Sequence, residues 1–548
     1  MSRTLILDIE TTTDHNTIWL CCCEDLEKDR RWSFVEPEGL QQLIDSYDHI
    51  VGHNIIGFDS PVLARVWNVQ IPEEKLRDTL ILSRLYNPEL KHSLAVWGDK
   101  LGFPKGDFTD YDGGLCPEMV QYCEQDVSIT KKLYIHLNKL LRSEGFSEAS
   151  EALEHAVALA THQQELNGFR MDTQKATELY TTITHRMTQI REELQAKFPP
   201  IVTERWSEKT GKRLKDDVEE FNIGSRQQIA KRLESLGAKF KKKTETGRVV
   251  IDESTLADVD LPEAKLCSEY LMLQKREGLL NSWFKHCADD GRIHGRVITN
   301  GAVTGRMTHH SPNLGQIPSV SSEYGEDCRA CFTVEDGNVL VGIDASGLEL
   351  RMLAHYMRDV KYTREILEGD VHTANMNAAG LTNRDQAKTF IYAFLYGAGP
   401  AKIGSIVGGG YKEGQNLTAK FLKNTPALGQ LRAKVDKIAA QGVLPGLDGR
   451  VLRVRSQHSA LNTLLQGAGA VVMKEALVIL TEMLYNNNIE YKLVANVHDE
   501  FQIETPDYLG EAVGICGVQA IKQAGIDLGL RCPLDAEYKI GHNWSETH

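Results

Sequence analysis

The chain has 548 residues, 41% hydrophobic and 25% charged, with 62 Lys plus Arg against 76 Asp plus Glu and a formal net charge of −14. At about 150 residues per domain this length excludes a single small module and predicts roughly three or four folding units, and the composition excludes a mainly disordered or collagen-like chain. Summed, the charge argues against a nucleic-acid partner, because phosphate binding is mostly a cation effect, but residues 1–150 hold 15 basic and 25 acidic side chains, whereas residues 201–250 hold 13 and 8 and residues 401–450 hold 8 and 3.

Arg3 leads straight into a short apolar strand, without a signal-like apolar region, and no window approaches the ~18 apolar residues of a membrane span. A soluble cytoplasmic protein is expected. Eleven cysteines, an odd number at scattered positions that include the run Cys21 to Cys23, suit reduced thiols. Cys328-x-x-Cys331 has zinc-ligand spacing, but no second pair completes four ligands, so both are read as thiols.

In chain order, residues 4–8 read as an apolar strand ending in an acid, and strand-like and helical stretches alternate to about residue 140, an α/β pattern. A linker or helix follows near residues 143–150. Residues 152–197 are helical and amphipathic and stop at Phe198-Pro199-Pro200. A polar connection runs to Glu220, Ser225 caps a helix ending by Gly237, and the cluster Lys239, Lys241, Lys242 and Lys243 follows. Residues 339–344 read as a second strand ending in an acid, 382–396 as a long helix, and 493–503 as a strand, tight turn and strand.

Asp8 and Glu10 are two apart on a strand, so both carboxylates leave one face while Ile9 goes to the other. Asp59 follows a Gly-bounded turn, and Tyr122 and Asp126 lie one helical turn apart on one face. Four acids with a phenol suit two hard cations and a water oriented for attack on a phosphodiester. In this order, these elements strongly resemble the three motifs of the DnaQ-like proofreading 3'-to-5' exonucleases.

Toward the other end, Asp344 closes a buried strand, Glu349 sits on the first turn after it, and Val497-His498-Asp499-Glu500 forms a hairpin tip expected to leave both acids exposed. Between them, Arg384, Lys388, Tyr392 and Tyr396 recur every four residues on one helix face, while Phe390, Ile391, Phe394 and Leu395 supply the packing side. Thr382 and Asp385 resemble a capping box, and Gly397 is a natural stop. Two cations followed by two rings suit a triphosphate with a sugar and base at its end.

These three segments look like motifs A, B and C of family A DNA polymerases, and residues 301–306, 313–318, 460–466 and the terminal Asn543-Trp544 with His548 are similar to the replicative enzymes of T-seven-like podophages. The resemblance implies an RNase H-like (DnaQ-like) exonuclease domain over 1–148, a thumb with connecting helices over 149–300, a palm over 301–360 and 451–548, and fingers over 361–450: an α/β and α+β multidomain right hand. It implies that Asp344 and Asp499, with the Ala345 carbonyl, hold two magnesium ions, with manganese a possible substitute, and that Glu500 tunes them. Arg384, Lys388 and His372 would contact the incoming dNTP, Lys388 as proton donor to pyrophosphate. Tyr392 would stack at the nucleotide and, with Glu349, crowd a ribose 2'-hydroxyl; Tyr396 would stack near the templating base. Arg306, Gln466, Asn462 and His498 would read minor-groove acceptors; apart from the resemblance, the basic stretch Arg205 to Arg248, with Lys241, Lys242 and Lys243, is expected to supply some of the DNA grip. Asp8, Glu10, Asp59 and Asp126 would hold two more ions, and Tyr122 would orient water.

Primer-template DNA, dNTPs, a replicative helicase-primase and a single-stranded DNA-binding protein are the partners this implies, for a monomeric enzyme. One departure concerns thioredoxin, which the podophage enzymes bind through a long thumb insertion. Here about twenty residues join Pro200 to Asn222, which leaves no room for it, so thioredoxin is not expected as a partner. The rival readings are a phage-type single-subunit RNA polymerase and a catalytically degenerate DNA-binding scaffold.

Overall fold

The first strand, Thr4–Thr11, is almost wholly buried, and its apolar run places it at the centre of a five-stranded sheet. The strands lie in the order Arg31–Phe34, Ile18–Asp25, Thr4–Thr11, His49–Gly52, Leu76–Asp78; only Ile18–Asp25 runs antiparallel to its neighbours, and the other four strands share one direction. Helix Pro117–Glu144 packs on one face through Cys123 and Val127, against Ile6, Leu20 and Cys22. In this computed structural model the described residues are 3–240, 242–244 and 246–548.

Residues 152–197, read as one helical stretch, form two helices, Glu148–Asn167 and Thr173–Lys197, separated by the strand Phe169–Met171. The break is at Gly168, which has φ of 61° and lies against His294 and Arg292, so that a Cβ there would meet the His294 ring at 2.8 Å. The polar connection after Pro200 contains a β-hairpin, Ile201–Thr203 with Asp217–Glu219. Its signal is hidden in sequence because its apolar members are exposed: Val202, Trp206, Leu214 and Val218 are 44–58% accessible. Ser225 caps Arg226–Ser235 as expected.

A second sheet, of four strands, joins distant segments in the order Lys492–Val497, Glu500–Pro506, Asn338–Ala345, Ala536–Gly541, all neighbours antiparallel. Helix Ala460–Asn486 lies in the adjoining core. Contrary to the sequence expectation, the stretch Gln457–Asn486 is long and apolar enough to cross a membrane by length and composition, but 78% of its most apolar window is buried in protein. A helix packed on nearly all sides is apolar all round.

A buried ionic cluster joins two segments some 300 residues apart in sequence. Glu154 Oε1 lies 2.5 Å from Lys474 Nζ and 2.7 Å from Arg450 Nη1, while Arg450 also pairs with Asp448 at 2.8 Å. Nearby, Arg453 pairs with Glu144 and Arg455 with Glu89, each at 2.8 Å.

Candidate active sites

The first site is built on the central strand. Asp8 and Glu10 share its face beneath Pro117–Glu144, and ligand atoms of Asp8, Glu10 and Cys123 fall within 4.8 Å of one another. Asp59 opens the helix Asp59–Val62, and its Oδ1 accepts from Ile9 N at 3.2 Å, which fixes it beside the pair. All four acids and Tyr122 line one cavity of about 400 Å³.

Crowding of these acids in a half-closed space makes their ionised forms costly. Burial, then Asp59, Asp126 and Glu10, pushes Asp8 well above the carboxylate range. Burial and Asp126 push Glu10 up to about 8, and burial pushes Asp59 up to about 7 and Asp126 upward. Asp126 Oδ1 is buried without a hydrogen-bond partner. An oxygen-rich site with more carboxyls than cations fits hard divalent ions.

Three contributors were not selected from the sequence. Lys105 pairs with Asp126, and its Nζ lies 4.6 Å from the Tyr122 ring centroid. Tyr111 brings its hydroxyl to 3.3 Å from that of Tyr122. His53 lines the cavity as a neutral ring, held at about 3 by burial, with Nδ1 2.9 Å from Thr79 Oγ1. Polar residues in a loop carry no periodicity, so Lys105 and Tyr111 leave no signal in the sequence, and His53 is one residue of the Gly-bounded turn before Asp59.

At the second site, Asp344 stands opposite Glu500 across the sheet, and Ala345 N donates to Asp499 O at 3.0 Å, so Asp344 and Asp499 reach the same sheet end. Asp344 is solvent-accessible at the strand end but closely ringed by protein; this burial, then Asp499 and Glu500, pushes it up to about 7. The repulsion between these acids fits cation binding as at the first site. His498 makes the turn with φ of 57°.

The expectation that both hairpin acids are exposed is corrected: Glu500 is only 4% accessible. Its Oε1 accepts from Trp544 Nε1 at 2.5 Å and from Gln502, and its Oε2 lies 2.7 Å from His548 Nδ1 and 3.6 Å from Arg329. Burial alone would raise Glu500, but His548, Trp544 and Arg329 outweigh it and hold the carboxyl below its ordinary range. The last segment reaches this point by crossing the sheet at Gly342, where a Cβ would stand 2.2 Å from the Thr547 carbonyl.

Helix Arg384–Leu395 buries Phe390, Ile391, Phe394 and Leu395 and leaves Arg384, Lys388 and Tyr392 on the opposite side. Its cap is Asn383, not Thr382: Asn383 Oδ1 accepts from Asp385 N at 2.8 Å and Gln386 N at 3.1 Å. Gly397 ends it with φ of 73°. Tyr392 stacks on Tyr396 at 6.4 Å between centroids, and the His372 ring lies 6.2 Å from Tyr392. Burial, then Arg384 and Lys388, keeps His372 below its usual pKa. Arg384 is held in a fork by Asp370, at 2.7 and 3.1 Å. Glu349, expected to work with Tyr392, accepts from the Tyr396 hydroxyl at 2.8 Å and from Arg306 at 3.3 Å, and its charge adds to the burial that raises the Tyr392 phenol. The helix ends at Leu395, and Tyr396 leaves it as the C-terminal cap.

Asn462 and Gln466 lie one turn apart and half-buried on Ala460–Asn486, and Arg306 is likewise half-buried. Lys242 pairs with Asp252 at 2.9 Å, and Lys243 bridges to Val249 through its backbone. Lys241 lies outside the described residues. Cys328 and Cys331 are buried thiols, with no other ligand group gathered around them among the described residues.

A family model described as DNA polymerase family A matches residues 184–546. The DNA-directed DNA polymerases of Enterobacteria phage T3 and Escherichia phage T7 are each 36% identical over 652 aligned positions, covering 91% of this chain and 92% of theirs. Those positions outnumber the 548 residues here, so both relatives carry segments this chain lacks. The solved POL domain of Pol1 from M. smegmatis, in complex with DNA primer-template and dNTP, superposes with a TM-score of 0.82 at 17% identity, covering 100% of this chain and 96% of that one. At that identity the likeness is one of fold.

Proposed function

From the premise that this chain belongs to DNA polymerase family A, we propose that it extends a primer on a DNA template from dNTPs at Asp344 and Asp499 and edits the product 3'-to-5' at Asp8, Glu10, Asp59 and Asp126. The observation that carries the two-site reading is the pair of separate acid clusters, each with carboxyls raised by burial and by one another. Magnesium, two ions per site and replaceable by manganese, is the proposed metal; when bound it supplies the positive charge that stabilises the attacking and leaving oxygens at phosphorus.

Around the synthetic site, Lys388 and Arg384 on one helix face bind the triphosphate, and Lys388 delivers a proton to the departing pyrophosphate. The Tyr392 and Tyr396 rings hold sugar and base by stacking. Arg306, Asn462, Gln466 and His498 read the minor groove, and Lys242 and Lys243 track the duplex. At the editing site Tyr122 orients the attacking water. The helices between the sites act as a thumb, residues 361–450 as fingers, and the four-stranded sheet as the palm floor.

Family membership argues against the RNA polymerase and scaffold readings. Extra segments in the phage relatives, together with the short connection after Pro200, support synthesis without thioredoxin; helicase-primase and a single-stranded DNA-binding protein remain the proposed replisome partners of a monomer. Clear stimulation of processivity by added thioredoxin would refute that part. The two-site model is tested on a labelled primer-template with magnesium. Asp8→Ala abolishes degradation but not extension, and Asp499→Ala the reverse; coupled loss of both activities in either variant rejects it.

A further inference from the structure

The editing cavity contains one cation that the proposed reaction does not use. Lys105 pairs with Oδ2 of Asp126 and lies over the Tyr122 ring, while Oδ1 of the same carboxylate has no partner. Its charge also favours the ionised forms of Asp8 and Glu10, opposing the burial and mutual repulsion that raise them. A single ammonium therefore stands where the acids are expected to receive divalent ions.

The backbone around Lys105 is held in place. Asp112 accepts from Thr13 N at 2.9 Å and from Thr13 Oγ1 at 2.7 Å, and Trp19 Nε1 donates to Tyr111 O at 2.9 Å. Phe108 packs 5.7 Å from the Tyr122 ring. The segment is a strap that lines the cavity through Lys105 and Tyr111, with the Lys105 side chain 24% accessible. Four methylenes let the ammonium turn while the strap stays fixed.

An ammonium and a divalent cation compete for one carboxylate oxygen and repel each other at contact distance. The displaced ammonium remains in a cavity that, on the editing reading, receives the phosphate of the terminal nucleotide. We propose that Lys105 exchanges partners: it is the counter-ion of Asp126 in the unloaded site, and turns to the substrate phosphate once a divalent cation takes that carboxylate. This inference rests on the editing function assigned above.

The test uses the full chain carrying Asp344→Ala and Asp499→Ala, so that the synthetic site does not contribute, with Mn2+ as the probe followed by electron paramagnetic resonance. Added to that background, Lys105→Met binds Mn2+ several-fold more tightly, and Lys105→Arg, which keeps the charge, does not. At saturating Mn2+, Lys105→Met binds deoxythymidine monophosphate several-fold more weakly. A lysine that merely braced the strap would give weaker Mn2+ binding when removed, the opposite sign. Unchanged or weaker Mn2+ binding in Lys105→Met, or unchanged monophosphate affinity, overturns the proposal. Asp8→Ala in the same background separates the two levels: if it binds Mn2+ as its parent does, the editing reading itself fails, whatever Lys105 does.

Discussion

Glu154 and Lys474, 320 residues apart in sequence, form an ion pair of 2.5 Å in which neither side chain is more than 1% accessible. The pair ties Glu148–Asn167 to Ala460–Asn486, the helix in the core beside the four-stranded sheet. Arg450 shares the same carboxylate oxygen at 2.7 Å. Removing Glu154 leaves two buried cations with only Asp448 to answer them. Breaking a buried pair from one side costs about 3–5 kcal/mol, so Glu154→Ala should lower the unfolding midpoint in urea accordingly, whereas Glu154→Gln with Lys474→Met should lose less. Equal losses in the two variants would show that the cluster is not the main tie between these two helices.

His155, next along that helix, gives a pH dependence with a definite sign. Its Nε2 accepts from Asp78 N at 2.8 Å and its Nδ1 lies 2.7 Å from Glu151 O, an arrangement that requires the neutral ring. Burial holds it at about 4, against an ordinary 6.5. In the unfolded chain the ring takes a proton as pH falls below 6.5, and in the folded chain it does not until about 4. Stability from this group is thus complete above 6.5 and is lost on acidification through that window, by about 3 kcal/mol in full. Thermal melts at pH 7.5 and 5 should show a smaller acid-induced drop for His155→Gln than for the wild type; an identical drop would remove His155 from the account.

How far the sites could be read in advance depended on whether a partner was local. Asp8 with Glu10, and Tyr122 with Asp126, are visible because strand and helix periods place them on common faces. Lys388 is visible in the same way, one turn from Arg384 on a helix face, whereas the roles of Asp344 and Asp499 rest on motif resemblance. Glu154 reads as an ordinary polar position on an amphipathic helix, because what buries it arrives some 300 residues later. Glu500 was misjudged for the same reason: the hairpin alone exposes it, and Trp544 and His548 cover it. Periodicity reports which face a residue occupies and is silent on what packs opposite. Gly168 and the exposed hairpin after Pro200 show the converse limit, since one residue broke a convincing helical pattern and a strand pair formed without a buried face.

The Trp544 indole predicts an effect confined to synthesis. Its N–H donates to Glu500 at 2.5 Å while its ring packs against Phe169 and Phe332, with centroids at 5.6 and 5.8 Å. Trp544→Phe keeps most of the ring contact and deletes the donor. Hydrogen bonds to charged groups are worth about 1.5–3 kcal/mol, and Glu500 then rises toward the protonated form that burial favours. Primer extension should fall at least several-fold, with degradation of single-stranded DNA unchanged. Equal loss of both activities would point to global destabilisation instead.

Asp370 and Arg384 make the last case. Asp370 has two tasks: its carboxylate accepts the backbone amides of His372 at 3.0 Å and Thr373 at 3.3 Å, capping Val371–Ala379, and it grips the Arg384 guanidinium at 2.7 and 3.1 Å. The fork holds Asp370 well below the ordinary carboxylate range, so it stays ionised at neutral pH. If the triphosphate takes the same Nε and Nη2 donors of Arg384, it displaces Asp370, and the ion pair competes with nucleotide. Asp370→Asn separates the tasks, because asparagine caps a helix about as well as aspartate but offers no charge to the guanidinium. The expected result is a dNTP KM lowered several-fold with little change in kcat, and a weaker dependence of KM on salt, since one of two competing electrostatic contacts is gone. Asp370→Ala loses the cap as well and should show the same KM shift on a less stable protein. A raised KM in Asp370→Asn would mean that the fork presents Arg384 to the nucleotide rather than withholding it.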